Sequence, residues 1–422
     1  MSPVELALPK WRDADAQERI VDILAVLVAA ALPWSTSLLA IFVVGWLIVL
    51  SFTLEFRILI LVLRRPVCAL PIMLFALAVL GTLWSAAPWG TRLHAISPAA
   101  KLLVLPLLIY HFERSTRGIW VFVAFLASCT ALLVMSWVVV FEPRLTIKAV
   151  VEYGIPVKNY IDQSQEFALC ALALLYPIVK LMGQKKFLAG ALLVALSLSF
   201  LINMAYVVVS RTALFTTPVM LFVLALHQMK LRGVIITIGM ATMLTSTIWF
   251  TSPSLRGRTY STFSEYNRYE LSNEPTSVGL RLEFWRKSLH FLSESPLFGH
   301  GTGSTSGLFA NAAIGQTGAA AEVVANPHNQ TLNVAIQWGV LGVIVLYAMW
   351  LAHLLLFRSS DLGSAIGLLV VIQNFATSLF NSHLFDFHEG WMYVLGVGVA
   401  GGMVLGTSSR EAASSTRNSA EP

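Results

Sequence analysis

Apolar runs of membrane-spanning length alternate with polar breaks along almost the whole chain. They fall near residues 20–34, 36–54, 66–84, 98–111, 118–141, 166–182, 187–208, 212–228, 233–251, 333–356, 363–381 and 390–407. Crossing the hydrocarbon core takes roughly 20 apolar residues per helix. The runs show no period-two alternation, and open strands would leave backbone groups unsatisfied in lipid, so each run is predicted to be a helix. The expected fold class is all-α, a polytopic integral membrane protein with about twelve transmembrane helices.

The breaks between the runs carry the orientation. Arg57, Arg64 and Arg65 follow the second run, Arg114 and Arg117 the fourth, and Lys180, Lys185 and Lys186 the sixth. Lys230 and Arg232 follow the eighth and Arg358 the tenth, whereas the short odd-numbered breaks offer little beyond Arg92 and Arg211. Positive residues stay inside, so both termini are expected in the cytoplasm. That orientation divides the chain into nine spans over 1–251, a large external loop over 252–332, three spans over 333–407 and a polar tail over 408–422. The tail is small and polar and is expected to be disordered. A second, shorter external segment covers 142–165.

Composition agrees with the pattern. Hydrophobic residues make up 57% and charged residues 12% of the 422 positions, with a mean hydropathy of +0.74. A soluble domain carries about 25% charged residues. The net charge of +6 follows from basic cytoplasmic breaks and implies no nucleic-acid partner. Cys68, Cys129 and Cys170 lie far apart in apolar runs and read as packing residues, not as a disulfide or zinc framework. The N-terminal stretch MSPVELALPKWRDADAQER is polar and of mixed charge, unlike a cleaved signal peptide.

Candidate chemistry concentrates on the external side. In GLRLEFWRKSLHFLSESPLFGHGTGS, residues 279–304, Arg281 to Ser293 suit a helix, with Glu283 and Lys287 as a surface pair and Trp285, Leu289 and Leu292 as the apolar stripe. Pro296 stops that helix, and Gly299, Gly301 and Gly303 then let the backbone approach something closely. In ANPHNQTLNVAIQWGVLG, residues 325–342, Pro327 keeps Asn326 extended and Asn329 is placed to cap the next helix. His328 is thereby held at the mouth of the bundle, where a histidine can act as a base near neutral pH. Arg211, between two apolar runs, needs an anionic partner or a polar cavity at a cost of roughly 2.5–3.5 kcal/mol on insertion scales. Two arginines and a histidine on one side suit glycosyl transfer from a lipid pyrophosphate, with the cations on the leaving group and the base on the attacking hydroxyl.

SRTAL around Arg211, the R-x-x-x-W start at Arg281 and Trp285, P-L-F-G-H-G-T-G at 296–303, and N-P-H-N followed by Q-W-G-V-L-G together resemble the O-antigen ligase/polymerase superfamily. The motifs cover about residues 200–345. The resemblance implies a glycosyltransferase C-like membrane fold of the bacterial inner membrane, with a periplasmic active site and an inverting reaction that uses no metal or other cofactor. The donor it implies is a glycan on undecaprenyl pyrophosphate. In the ligase branch the acceptor is a sugar hydroxyl of lipid A–core, and the product is complete lipopolysaccharide. By position His328 matches the essential loop histidine, and Arg211 and Arg281 match the arginines that bind pyrophosphate. Lys158 and Asn326 are added as further substrate contacts. A protein O-oligosaccharyltransferase would carry an extra C-terminal domain, and an O-antigen polymerase a second arginine-rich outer loop, so the ligase branch is expected.

Other groups weigh less. Asp13 and Asp15 form a D-x-D on the cytoplasmic side, away from the set above, and read as a solvated approach to the first helix. His383, Asp386, His388 and Glu389 crowd one short outer turn, where a polar contact or an acidic partner for His328 fits better than a metal site. A secondary transporter should show two related halves with interrupted helices, and no such halves are visible.

Overall fold

The computed structural model describes the backbone of residues 14–420 and the side chains of 15–411. Asp13 lies outside these residues, and Asp15 sits in the first turn of the first helix. The helices run α1 (Ala14–Ala31), α2 (Thr36–Ser51), α3 (Phe56–Leu63), α4 (Pro66–Leu80), α5 (Trp89–Ala100), α6 (Val104–Phe112) and α7 (Ile119–Phe141). They continue as α8 (Tyr160–Ala173), α9 (Leu175–Gly183), α10 (Phe187–Tyr206), α11 (Arg211–Gln228) and α12 (Leu231–Thr251). Segment 252–332 holds α13 (Pro253–Ser272), α14 (Ser277–Glu294) and α15 (Thr305–Ala313), and α16 (Gln330–Leu356), α17 (Leu362–Thr377) and α18 (Phe387–Ala420) follow. There is no strand among the described residues.

Every expected apolar run carries a helix, but the count of spans differs. Among the described residues, seven helical segments are long and apolar enough to cross a membrane, and the pair α3–α4, bent by 82° where Arg64 and Arg65 meet Pro66, can be an eighth. The expected twelve is not reached on this measure, because α1, α2, α11 and α17 are only 16 to 18 residues long and are too short or too polar to count. The tail is a further difference. α18 continues from the bundle to Ala420, so residues 408–420, expected to be disordered, are helical. Arg410, Glu411, Ala412 and Ala413 are all good helix formers, with no glycine or proline to stop them.

Segment 252–332 folds onto the bundle. α14 starts after Thr276, whose hydroxyl caps Gly279 N–H, and it ends just before Pro296, as the sequence suggests. Its buried face differs from the expected stripe. Phe284, Ser288 and Phe291 face inward while Leu289 is exposed, because Phe309 of α15 packs edge-on against Phe284 and Phe291 with ring centroids 5.6 and 5.2 Å away. Glu283 and Lys287 are buried with this face instead of forming a surface pair. Glu283 takes a fork from Arg286 at 2.6 and 3.1 Å, and the Lys287 ammonium donates to the Ala320 carbonyl.

The glycine-rich loop approaches the backbone of α16. That helix is broken at Gly339, whose φ of 63° and ψ of −159° suit only glycine. A break inside a spanning helix frees carbonyls and amides that lipid cannot satisfy. Here the loop satisfies them. His300 and Gly301 N–H donate to the carbonyls of Ile336 and Gln337 at 2.8 and 2.9 Å, and Val340 N–H donates to the Pro296 carbonyl at 2.8 Å. A Cβ at Gly339 would lie 2.3 Å from the Leu297 carbonyl oxygen, and one at Gly299 2.6 Å from that of Ile336. Gly339→Ala should therefore cost more than the roughly 1–3 kcal/mol of strain in a glycine-only region. Gly315→Ala, also at positive φ but in open space, should cost only about 1–2 kcal/mol. Thermal unfolding of the detergent-purified variants checks this, and equal losses would mean that the loop does not clasp the helix.

Candidate functional site

The site is assembled at the N-terminal end of α16. Asn329 caps that helix by accepting from Leu332 N–H at 3.0 Å, as its position in N-P-H-N suggests. His328, just before the cap, has a φ of 54°. Left-handed backbone is uncommon outside glycine, and a side chain held there needs surrounding structure to fix it. Asn326 does so. Its Oδ1 accepts from the His328 backbone N–H at 2.9 Å and from the Ser382 hydroxyl at 2.7 Å. Its Nδ2 donates to Asn381 Oδ1 at 3.1 Å. The amide expected to touch substrate is thus engaged in shaping the histidine loop.

The imidazole itself is set by Asn381, in the turn between α17 and α18. Asp386 Oδ2 lies 2.6 Å from Asn381 Nδ2 and can only accept from it. That turns Asn381 Oδ1 toward His328 Nδ1, 2.9 Å away, so Nδ1 carries the proton and Nε2 keeps its lone pair. The ring stacks against Phe284 of α14, with centroids 6.1 Å apart. Burial lowers the His328 pKa below its usual value, and the Arg281 charge adds to this against the Asn381 hydrogen bond, which raises it. The histidine is therefore neutral at pH 7 with a free nitrogen, the state a general base needs.

Arg281 lies one turn before Phe284 on α14. It is partly buried, and it has no hydrogen bond or ion pair among the described residues. Burial lowers its pKa, and the neighbouring Arg211 acts in the same direction, partly offset by Tyr160 and Glu265. A guanidinium in this state favours an anion brought to it. Arg211, the first residue of α11, is different. Its fork grips Glu265 of α13 at 2.5 and 3.1 Å and the Ser261 hydroxyl at 2.8 Å, which holds the Glu265 carboxyl below its usual range. The anionic partner that Arg211 needs is thus inside the protein. Lys158 is also engaged, with the Leu32 carbonyl and His388 Nδ1, while His388 Nε2 meets Glu166 at 2.5 Å.

The crowded turn has two roles. Asp386 orients His328 through Asn381, and burial raises its own pKa to about 6. His383 is almost fully buried, and burial with the nearby Arg281 charge pushes it down to about 3. His383 Nε2 lies 3.9 Å from one oxygen each of Asp386 and Glu389. These three could hold a cation, although the spacing is wider than the about 3.3 Å edge of a tetrahedral zinc site. The turn, Lys158 and Tyr160 line one polar cavity of about 360 Å³. Asn381, Phe284 and Glu265 are missing from the sequence reading. Asn381 stands at the start of the acidic turn that was singled out, whereas nothing local marks the other two.

Residues 191–347 match a family model described as O-Antigen ligase, a stretch that holds Arg211, Arg281 and His328. No curated protein matches the chain. The protonation state of His328 can be checked by the pH dependence of its modification by diethyl pyrocarbonate, read by mass spectrometry on the intact protein. Only the neutral ring reacts, so the midpoint should fall below pH 6.5 and rise when Arg281→Gln removes the adjacent charge. A midpoint at or above 6.5 in the wild type would contradict the site as described.

Proposed function

The chain belongs to the O-antigen ligase superfamily, and on that premise we propose that it is the ligase that completes lipopolysaccharide. It transfers a glycan from undecaprenyl pyrophosphate to a sugar hydroxyl of lipid A–core at the outer face of the bacterial inner membrane. Both termini are cytoplasmic, and segment 252–332 is the periplasmic cap. The observation that carries this reading is Arg281, a partly buried guanidinium without an anion, beside a neutral histidine whose Nε2 is free.

The donor pyrophosphate occupies the space in front of Arg281, with Arg211 and its Glu265 partner on the flank. The acceptor hydroxyl gives its proton to His328 Nε2 as its oxygen attacks the anomeric carbon. The bond from that carbon to the pyrophosphate oxygen breaks, and the electron pair leaves with undecaprenyl pyrophosphate. Attack from the side opposite the leaving group inverts the anomeric centre. The growing negative charge is met by Arg281 and by the new imidazolium, which Asn381 steadies through Nδ1. Pyrophosphate leaves as a stable anion, so no general acid is needed, and the residues named require no metal.

Lipopolysaccharide gels of a deletion strain test the reading. Long-chain ladders should be lost, the glycan should persist on its lipid carrier, and wild type but not His328→Ala should restore the ladders. Lipid A–core capped with a single repeat would assign the protein as a polymerase instead, and unchanged ladders would exclude both. In a purified transfer assay, Arg281→Gln should lower kcat/KM for the donor about 100-fold, the loss seen when one donor to a developing oxyanion is removed. Asn381→Leu should lower kcat while leaving donor KM unchanged, by no more than the roughly 10²–10⁴-fold that a general base supplies.

A further inference from the structure

Beside the histidine loop lies a second cavity of about 270 Å³, on the side of Asn326 and Ser382. Its floor is α16 and its walls are α5, the start of α15 and the turn before α18. Neither Arg211, Arg281 nor Tyr160 lines it, and no lysine or arginine does. The polar residues lining it are mostly uncharged, Thr305, Asn333 and Gln337 among them, with His94 and Asp386 as the titratable ones. Trp338 and Phe385 supply apolar surface, and the indole is fixed by its Nε1 donating to the Thr302 hydroxyl at 2.9 Å.

One group in this cavity has no partner. Thr305 is 3% exposed, and its Oγ1 makes no hydrogen bond. A buried hydroxyl left unsatisfied is destabilising until a partner reaches it. The lining therefore calls for a ligand with several hydroxyls, an apolar ring face and no charge. The volume is just under the roughly 300–1,000 Å³ of sites for drug-sized ligands, which leaves room for one or two sugar rings but not for a chain. A pyrophosphate meets no lysine or arginine here, and Asp386 opposes it.

We propose that this cavity binds an uncharged sugar ring of the acceptor, the one that presents its hydroxyl to His328. The assignment rests on the glycosyl-transfer reading above. The donor's charged group belongs with Arg281, which does not reach the cavity. The cavity instead borders Asn326, Ser382 and Asp386, the residues whose hydrogen bonds set the His328 loop. A ring seated here lies against the frame that positions the base, so binding and base geometry are coupled through the same side chains.

The test uses the full chain in nanodiscs with a lipid-pyrophosphate glycan as donor and lipid A–core as acceptor, each varied with the other saturating. Thr305→Val removes the unpartnered hydroxyl with little change of shape, and Ala95→Trp fills the cavity from α5. Thr305→Val should raise acceptor KM about 5- to 10-fold and leave donor KM unchanged, and Ala95→Trp should raise it further. Unchanged constants for both substrates, or a rise in donor KM alone, would overturn the proposal. A binding arm separates it from the catalytic reading. Saturation-transfer NMR with free glucose, galactose and N-acetylglucosamine should show contact in wild type and in His328→Ala, and none in Ala95→Trp with wild-type thermal stability. If the wild type transfers no glycan but this pattern of contact holds, the cavity is a sugar site and the ligase reading fails. If the wild type transfers glycan and Ala95→Trp keeps full sugar contact, the cavity assignment fails alone.

Discussion

The structure depends on how a broken helix is satisfied. At Gly339 α16 gives up its regular ladder, and backbone groups exposed there have no water to turn to if they lie in the membrane. The loop from Pro296 to Gly303 supplies donors to the carbonyls before the break and acceptors for the amides after it. This contact, with those of Thr302 to α4 and of Glu265 to Arg211, ties segment 252–332 to the bundle. It also fixes α14 on one side of the break and the Asn329 cap on the other, so that Arg281, Phe284 and His328 meet. Glycines on both sides are what allow two backbones to come this close.

The electrostatics of the site follow from which charges have found partners inside the protein. Arg211 holds Glu265, Lys158 is bound to a carbonyl and a histidine, and Lys101 donates to the carbonyls of Phe385 and Asp386 beneath the turn. These pairs brace the walls. Arg281 is left without one, close enough to Arg211, His328 and His383 for their charges to interact. The neutral histidines beside it are a consequence, since a cation and burial both oppose protonation. In the proposed transfer, an arriving anion would relieve Arg281 and also permit His328 to take a proton, so that binding of the leaving group and activation of the attacking hydroxyl would be linked by one charge.

Much of this was legible in the sequence because it is local. Asn329 as cap, Pro296 as the helix stop, glycines that mark a close approach and apolar runs that become helices all depend on residues within a few positions of one another. What was not legible depends on distant contacts. Glu265 completes Arg211 across 54 positions and Asn381 orients His328 across 53, and neither shows in a local pattern. The stripe on α14 was misplaced because Phe309 selects which face is buried. The tail's small polar residues suit disorder, although alanine and arginine there also suit a helix. Twelve spans are not reached on length and composition because α2 and α17 are short and α1 and α11 are too polar.

The most direct measurement is a cryo-electron microscopy structure of the full chain in nanodiscs with undecaprenyl pyrophosphate. The expected result is pyrophosphate density against the Arg281 guanidinium, with the space in front of His328 Nε2 left open toward the neutral cavity. Density held elsewhere, for example by Lys158 and His388 with Arg281 still unpaired, would contradict the assignment of the site.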